Sequence, residues 1–194
     1  GMQILIDKAK ADDSFGEIVV KGDNVMLGYY ENEEETAEVL NNGWFRTGDL
    51  GTCDRHNCYK ITGRCKNVIV TKNGKNIFPE EVELYLNTNP VIEESIVYAD
   101  DVDDETLVSV QIYPNYEQIK NNLKRQDITK EDVQKSVEEA VKDVNKKLPK
   151  YKKIRNIEIS EQEFEKTTTK KIKRHANLKN KKENTETTKV EIEE

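Results

Sequence analysis

The residue with the most specific chemical promise is Asp49, an acid isolated in the run Gly43-Trp44-Phe45-Arg46-Thr47-Gly48-Asp49-Leu50-Gly51. Gly43, Gly48 and Gly51 allow positive φ or a close approach to a ligand, so the turn dictates where the acid points. An ionised Asp only accepts hydrogen bonds, through two oxygens, which suits the two neighbouring hydroxyls of a ribose. The same run also fits a plain strand-turn-strand without a ligand, because short motifs are weak on their own. Trp44 and Phe45 read as core residues of the turn.

Cations follow at intervals. Arg64 ends Tyr59-Lys60-Ile61-Thr62-Gly63-Arg64. Its planar fork suits a sugar or a phosphate, and a salt bridge across a domain boundary is the alternative. Phe164 to Arg174 carries Lys166, Lys170, Lys171, Lys173 and Arg174, which composition alone would make a solvated charge run. Gly74, in Lys72-Asn73-Gly74, marks a turn that needs positive φ. Cys53, Cys58 and Cys65, with His56 between the first two, have the ligand types of a zinc site. There is no C-x-x-C pair, and Asp54 to Asn57 reads as a polar hairpin turn, so no metal site is expected.

The elements that must position these groups are legible from patterning. Glu17 to Gly22 is a β-branched run closing on a turn, and Asn32 to Leu40 an acidic short helix stopped by Asn41-Asn42-Gly43. Phe45 to Leu50 and Cys58 to Thr62 read as strands flanking the turn at 54–57. Asn67 to Thr71 and Lys75 to Ile77 form a hairpin. Phe78-Pro79-Glu80-Glu81 then starts a helix, with Pro in the first turn and acids at the positive end of the dipole. Ile92 to Ala99, Leu107 to Tyr113 and Ile154 to Ile159 are expected strands. The clearest helix is Thr129 to Leu148: Thr129 caps it with Asp132 three residues on, and Val133, Val137, Val141, Val144 and Leu148 share one face. The order β-β-α-β-β-α-β predicts a small α+β domain with helices on one side of a mixed sheet.

At 194 residues the chain holds one or two domains, and 35% hydrophobic against 36% charged residues implies a modest core under a heavily charged surface. The net charge of -7 is uneven, since Lys142 to Arg174 is basic and the remainder acidic. A basic third without a pattern of stacking aromatics argues against a nucleic-acid partner. No apolar run is long enough for a transmembrane helix, and no signal peptide opens the chain. Gly1 ahead of Met2 reads as an expression scar. Three cysteines make no disulfide framework and suit a reducing cytoplasm.

Taken in order, the segments around Asp49 and Arg64, the run Cys65-Lys66-Asn67-Val68-Ile69-Val70, Asn73-Gly74-Lys75-Asn76-Ile77-Phe78-Pro79-Glu80-Glu81-Val82-Glu83, and Phe164 to Arg174 closely resemble the C-terminal part of the AMP-forming acyl-CoA synthetases, the acyl-adenylate-forming superfamily. The Gly-Lys-Asn-Ile-x-Pro-Glu wording is most similar to the long-chain fatty acid branch. The resemblance runs from about Gly16 to about Arg174. It implies an α+β chain in which residues 1–63 end a β-rich subdomain of the large domain and 64–67 form a hinge. Residues 68–174 would be the small C-terminal domain with helices packed on a mixed sheet, and 175–194 a mobile tail of Lys, Asn, Glu and Thr.

The resemblance also implies chemistry. A carboxylate, a fatty acid in this branch, attacks the α-phosphate of ATP to give acyl-adenylate and pyrophosphate. CoA then takes the acyl group and releases AMP. Matching Lys166-Thr167 to the family's Lys-Thr makes Lys171 the lysine that meets the α-phosphate charge. Lys170 stands where the family usually has Gly, which leaves Lys170 as the competing assignment. Asp49 would accept from the ribose hydroxyls of ATP or AMP, and Arg64 would add a contact to the same sugar or phosphate. Lys66 takes the hinge position, absorbing the rotation between half-reactions. Gly74 would line the pantetheine channel of CoA, and Lys150, Lys152 and Lys153 would meet CoA phosphates.

The family's Ser/Thr/Gly-rich phosphate loop, its adenine and magnesium segment and its acyl pocket are not among these residues. The magnesium site is thus expected outside the chain, the partner is the large N-terminal domain, and the isolated chain is expected to be inactive. Peripheral membrane contact belongs to the full enzyme. Two other readings stay open: a ligase for another carboxylic acid, and a short module that supplies Lys171 in trans to a separate catalytic half.

Overall fold

A computed structural model describes residues 1–10, 13–102, 105–183 and 189–191, with the side chains of 102, 179–183 and 189–191 left aside. The chain divides into two compact units, Gly1–Val68 and Ile69–Glu194.

The first unit is a five-stranded antiparallel sheet. Strands β1 (Gln3–Asp7), β2 (Gly16–Lys21), β4 (Trp44–Cys53) and β3 (Leu40–Asn41) lie side by side in that order, and β5 (Tyr59–Arg64) also pairs with β4. Among the described residues the one α-helix of this unit, α1 (Glu33–Val39), opens on Asn32, whose side chain accepts from the amide of Glu35, and puts three acids in its first turn. The expected turn around Trp44 to Gly51 is in fact one long strand. The tight turn falls earlier, at Asn42 and Gly43, both at positive φ, in the two-residue loop that joins β3 to β4.

The second unit begins with the small hairpin β6 (Ile69–Val70) and β7 (Asn76–Ile77). Helix α2 (Pro79–Leu86) follows, then β8 (Ile92–Val102), β9 (Glu105–Pro114), α3 (Tyr116–Leu123), α4 (Lys130–Asn145), β10 (Ile154–Ile159), α5 (Arg174–Glu183) and β11 (Lys189–Glu191). The sheet is mixed: β8 and β9 are antiparallel, β9 and β10 parallel, β10 and β11 antiparallel. Val108, Val110 and Ile112 project from one face of β9 into a core shared with Val82 and Leu86 of α2, Ile119 of α3, and Val133, Val137, Val141 and Val144 of α4. That alternation is the strand period meeting the helix period.

The α+β class with helices packed on a mixed sheet is as expected, and at β9 Val108, Ser109 and Val110 are buried in succession. The stretch expected as a tail includes α5 and β11, and its residues 184–188 and 192–194 lie outside the described residues. Asn177 ties α5 down, its side chain donating to the carbonyls of Glu165 and Lys173.

Helix α4 has the full capping box: the Asp132 amide donates to Thr129 Oγ1 at 3.2 Å, and the Thr129 amide to Asp132 Oδ2 at 3.0 Å. The Thr129 amide, helped by Arg125, holds the Asp132 carboxyl below its ordinary range. A depressed folded value means that its contribution is present above the unfolded value and is lost as pH falls through the folded one. Thr129→Ala is expected to cost about 1 kcal/mol in urea unfolding at neutral pH. The destabilisation caused by Asp132→Ala should shrink as pH is taken below the carboxylate range, read by the same titration.

Candidate functional site

In the first unit the site is built on an irregularity of β4. The pairs Glu17↔Leu50 and Val19↔Arg46 set Arg46–Leu50 of β4 against the shorter span Glu17–Val19 of β2, so β4 bulges. Such bulges re-aim the side chain that follows them. Gly48 sits in the bulge at φ 72°, a conformation that costs a side-chain-bearing residue about 1–2 kcal/mol. Its amide donates to Glu17 Oε1 at 3.0 Å. Thr47 Oγ1 donates to the Ile18 carbonyl at 2.7 Å and accepts from the Asp49 amide at 3.1 Å. Glu17 also pairs with Arg46, which reaches Asp7 at 3.0 Å.

The bulge delivers Asp49 opposite Arg64 of β5, and Arg64 Nε meets Asp49 Oδ1 at 2.9 Å. Asp49 is 32% exposed and Arg64 54%, so the pair stands in water and is worth at most about 1 kcal/mol. It orients more than it stabilises. The salt bridge weighed for Arg64 is therefore made with Asp49 itself, inside the first unit. Lys66 is exposed in the 3-10 turn Cys65–Asn67 that follows. Cys53, Cys58 and Cys65 are free, exposed thiols, and partial desolvation, with Glu17 nearby, pushes the Cys65 thiol up. Among the described residues no three His, Cys, Asp or Glu side chains converge as a metal site.

In the second unit Lys171 lies just past the tip of a tight loop. Lys166 and Ile172 pair across it, the Thr167 amide donates to the Lys171 carbonyl at 2.8 Å, and the Lys170 amide to the Thr167 carbonyl at 2.9 Å. The Lys171 amide donates to Thr167 Oγ1 at 3.1 Å. Lys170 takes φ 61°, the left-handed region that glycine fills without strain. The glycine expected before this lysine thus has a backbone reason, and Lys170 meets the same geometry at some cost. Lys171 is exposed.

Gly74 closes the β6–β7 loop at φ 69°, its amide donating to the Thr71 carbonyl at 2.8 Å. A Cβ there would meet nothing within 4 Å, so inside this unit the requirement on Gly74 is the backbone angle and not space. Lys152 departs from its expected role. It is buried against Glu81, with Nζ 2.7 Å from Oε2, and is not presented to a phosphate.

Several residues that shape both places gave no signal in sequence reading: Glu17 under Gly48, and Glu83, Glu94, Arg174 and Asn177 under the Lys171 loop. Each is an ordinary charged or polar residue, and most have partners far away in the chain, as Glu83 and Arg174 are, 91 positions apart.

A half-exposed acid–arginine pair on a bulged sheet thus precedes, in the chain, a mixed α+β unit with a lysine-bearing loop. The chain belongs to the AMP-binding enzyme C-terminal domain family, which matches residues 66–188. A long-chain-fatty-acid–CoA ligase of Mycobacterium tuberculosis is 46% identical over 90 residues, 46% of this chain and 15% of that protein. The probable acyl-activating enzyme 9 of Arabidopsis thaliana is 36% identical over 164 residues, 83% of this chain and 27% of that protein. Among solved structures, the o-succinylbenzoate CoA synthetase of Bacillus subtilis in complex with its acyl-adenylate intermediate superposes with a TM-score of 0.69 at 23% identity, over 90% of this chain and 33% of that one. The chain therefore spans between about a seventh and a third of the length of these proteins. No helix among the described residues is long and apolar enough to cross a membrane.

Because Lys170 is in the left-handed region, Lys170→Gly should leave the thermal midpoint unchanged or raise it. Lys170→Val, β-branched at positive φ, should lower stability by about 1 kcal/mol or more. Thermal unfolding followed by circular dichroism checks both.

Proposed function

We propose that this chain is the C-terminal portion of a cytoplasmic AMP-forming acyl-CoA synthetase of the long-chain fatty acid branch, joining a fatty acid to CoA with ATP converted to AMP and pyrophosphate. The observation that carries the reading is the Asp49–Arg64 pair, aimed by a bulge and left partly in water, in a chain of this family. Arg64 Nε takes one oxygen of Asp49, and the carboxylate has further lone pairs with which to accept from two ribose hydroxyls. The cationic fork beside it suits the sugar or the α-phosphate.

Lys171 would carry the charge that develops on the α-phosphate during adenylation. A long, exposed ammonium on a loop with a fixed base suits a group that must reach a phosphate held by another domain. Lys66 would act as the hinge, and Gly74 would face the pantetheine arm of CoA. Magnesium and ATP phosphates would be held mainly by residues outside this chain. Long-chain specificity is supported by the relative from Mycobacterium tuberculosis and by the wording around Gly74 to Glu80. The free thiols Cys53, Cys58 and Cys65 are in keeping with a reducing compartment.

The isolated chain, mixed with ATP, a fatty acid and CoA, should release no pyrophosphate and form no acyl-CoA; measurable product would overturn the reading of an incomplete site. In the longer enzyme, Asp49→Ala should raise KM for ATP about 10-fold or more, as loss of a charge-assisted contact implies. Lys171→Ala should abolish adenylation yet largely spare acyl transfer to CoA from supplied acyl-adenylate. Equal loss in both halves would contradict the role given to Lys171.

A further inference from the structure

The loop that carries Lys171 leaves the body of the second unit and returns to it at β8. On the way out, the Phe164 amide donates to Glu94 Oε2 at 3.2 Å, and Lys166 pairs with Glu94 through the other oxygen. On the way back, Arg174 Nη1 donates to the Val97 carbonyl at 2.7 Å and Nη2 to Glu83 Oε2 at 2.8 Å. The Val97 amide donates in turn to Glu83 Oε1 at 2.7 Å. Guanidinium and carboxylate together close a ring over both main-chain groups of Val97.

β8 is the last strand of its sheet, so its outer amides and carbonyls have no neighbouring strand to pair with. Glu83 and Arg174 cap that open edge with charge-assisted bonds at Val97, and Glu94 fastens the other stem from the same strand. The side chains of Glu83, Glu94 and Arg174 are 13%, 12% and 18% exposed. Lys170 and Lys171 at the tip are exposed. The loop thus has a dry, bonded base and a wet end.

We propose that Arg174 and Glu83 are positioning residues for Lys171: their clamp on the edge of β8 fixes where the returning stem leaves the sheet, and so where the lysine three residues earlier can reach. The inference rests on the reading of Lys171 as the adenylation lysine. Burial, with Glu80 adding to it, pushes the Glu83 carboxyl up although Arg174 and the Val97 amide oppose it. Arg174 cannot be exchanged for Lys without loss, because an ammonium does not present the fork that spans the Val97 carbonyl and Glu83 together.

The test uses the longer enzyme with Lys171→Ala, Arg174→Lys, Glu83→Ala and Glu83→Gln. It measures pyrophosphate release in the first half-reaction and acyl transfer from supplied acyl-adenylate in the second. Amide hydrogen exchange of residues 166–173 is measured in the 194-residue chain. Arg174→Lys and Glu83→Ala should lower kcat for adenylation about 10- to 100-fold with little change in KM, spare acyl transfer and speed exchange in the loop. Glu83→Gln keeps an acceptor for the Val97 amide and should retain more adenylation than Glu83→Ala, so the comparison survives even if Arg174→Lys does not fold. Full adenylation in folded Glu83→Ala, with Lys171→Ala inactive, would overturn the positioning role and leave the reading of Lys171 standing. Intact adenylation in Lys171→Ala would overturn both.

Discussion

In each unit a largely buried carboxylate, bonded to a main-chain amide and to an arginine, supports a candidate site residue. In the first unit Glu17 accepts from the Gly48 amide and pairs with Arg46. In the second, Glu83 accepts from the Val97 amide and pairs with Arg174. Both carboxylates are nearly out of water, whereas the side chains they serve, Asp49 and Lys171, are not. A group that must meet a ligand has to stay accessible, and accessibility costs it the packing that would fix its direction. The direction is supplied from below, by fixing the backbone.

The two units solve this in different ways. The first uses a bulge, with Thr47 bonded on both sides and Gly48 in the left-handed region, so that Asp49 emerges beside Arg64. The second uses a turn with Lys170 in the left-handed region, set on stems anchored to an edge strand. An edge strand is a hazard when left open; here its exposed groups become the attachment for the loop. The chain belongs to the AMP-binding enzyme C-terminal domain family and spans only part of its relatives' length.

Much of this was legible in the residues. The capping box at Thr129 and Asp132 and the valine face of α4 follow from spacing alone, and the hairpins from turn residues and β-branched runs. Asp49, Arg64 and Lys171 are singled out because family motifs keep their local order. Helix α3 was missed because it is short and buries only Ile119, too little to show a period. The bulge in β4 leaves no trace in hydrophobic alternation, since an extra residue in one strand is visible only against its partner. Arg174 was visible as one more cation in a basic run. Its partner Glu83 lies in another element, and nothing local distinguishes that pair from the exposed Lys146–Asp143. Lys152 was read as a phosphate ligand for the same reason.

Under the proposed function, Lys171, the residue after the left-handed position, serves the α-phosphate, and Lys170 in it does not. ATP–pyrophosphate exchange in the longer enzyme tests it most directly, with Lys170→Gly, which suits the backbone, set beside Lys171→Ala. Exchange should persist in Lys170→Gly and vanish in Lys171→Ala. Loss in Lys170→Gly together with retention in Lys171→Ala would contradict it.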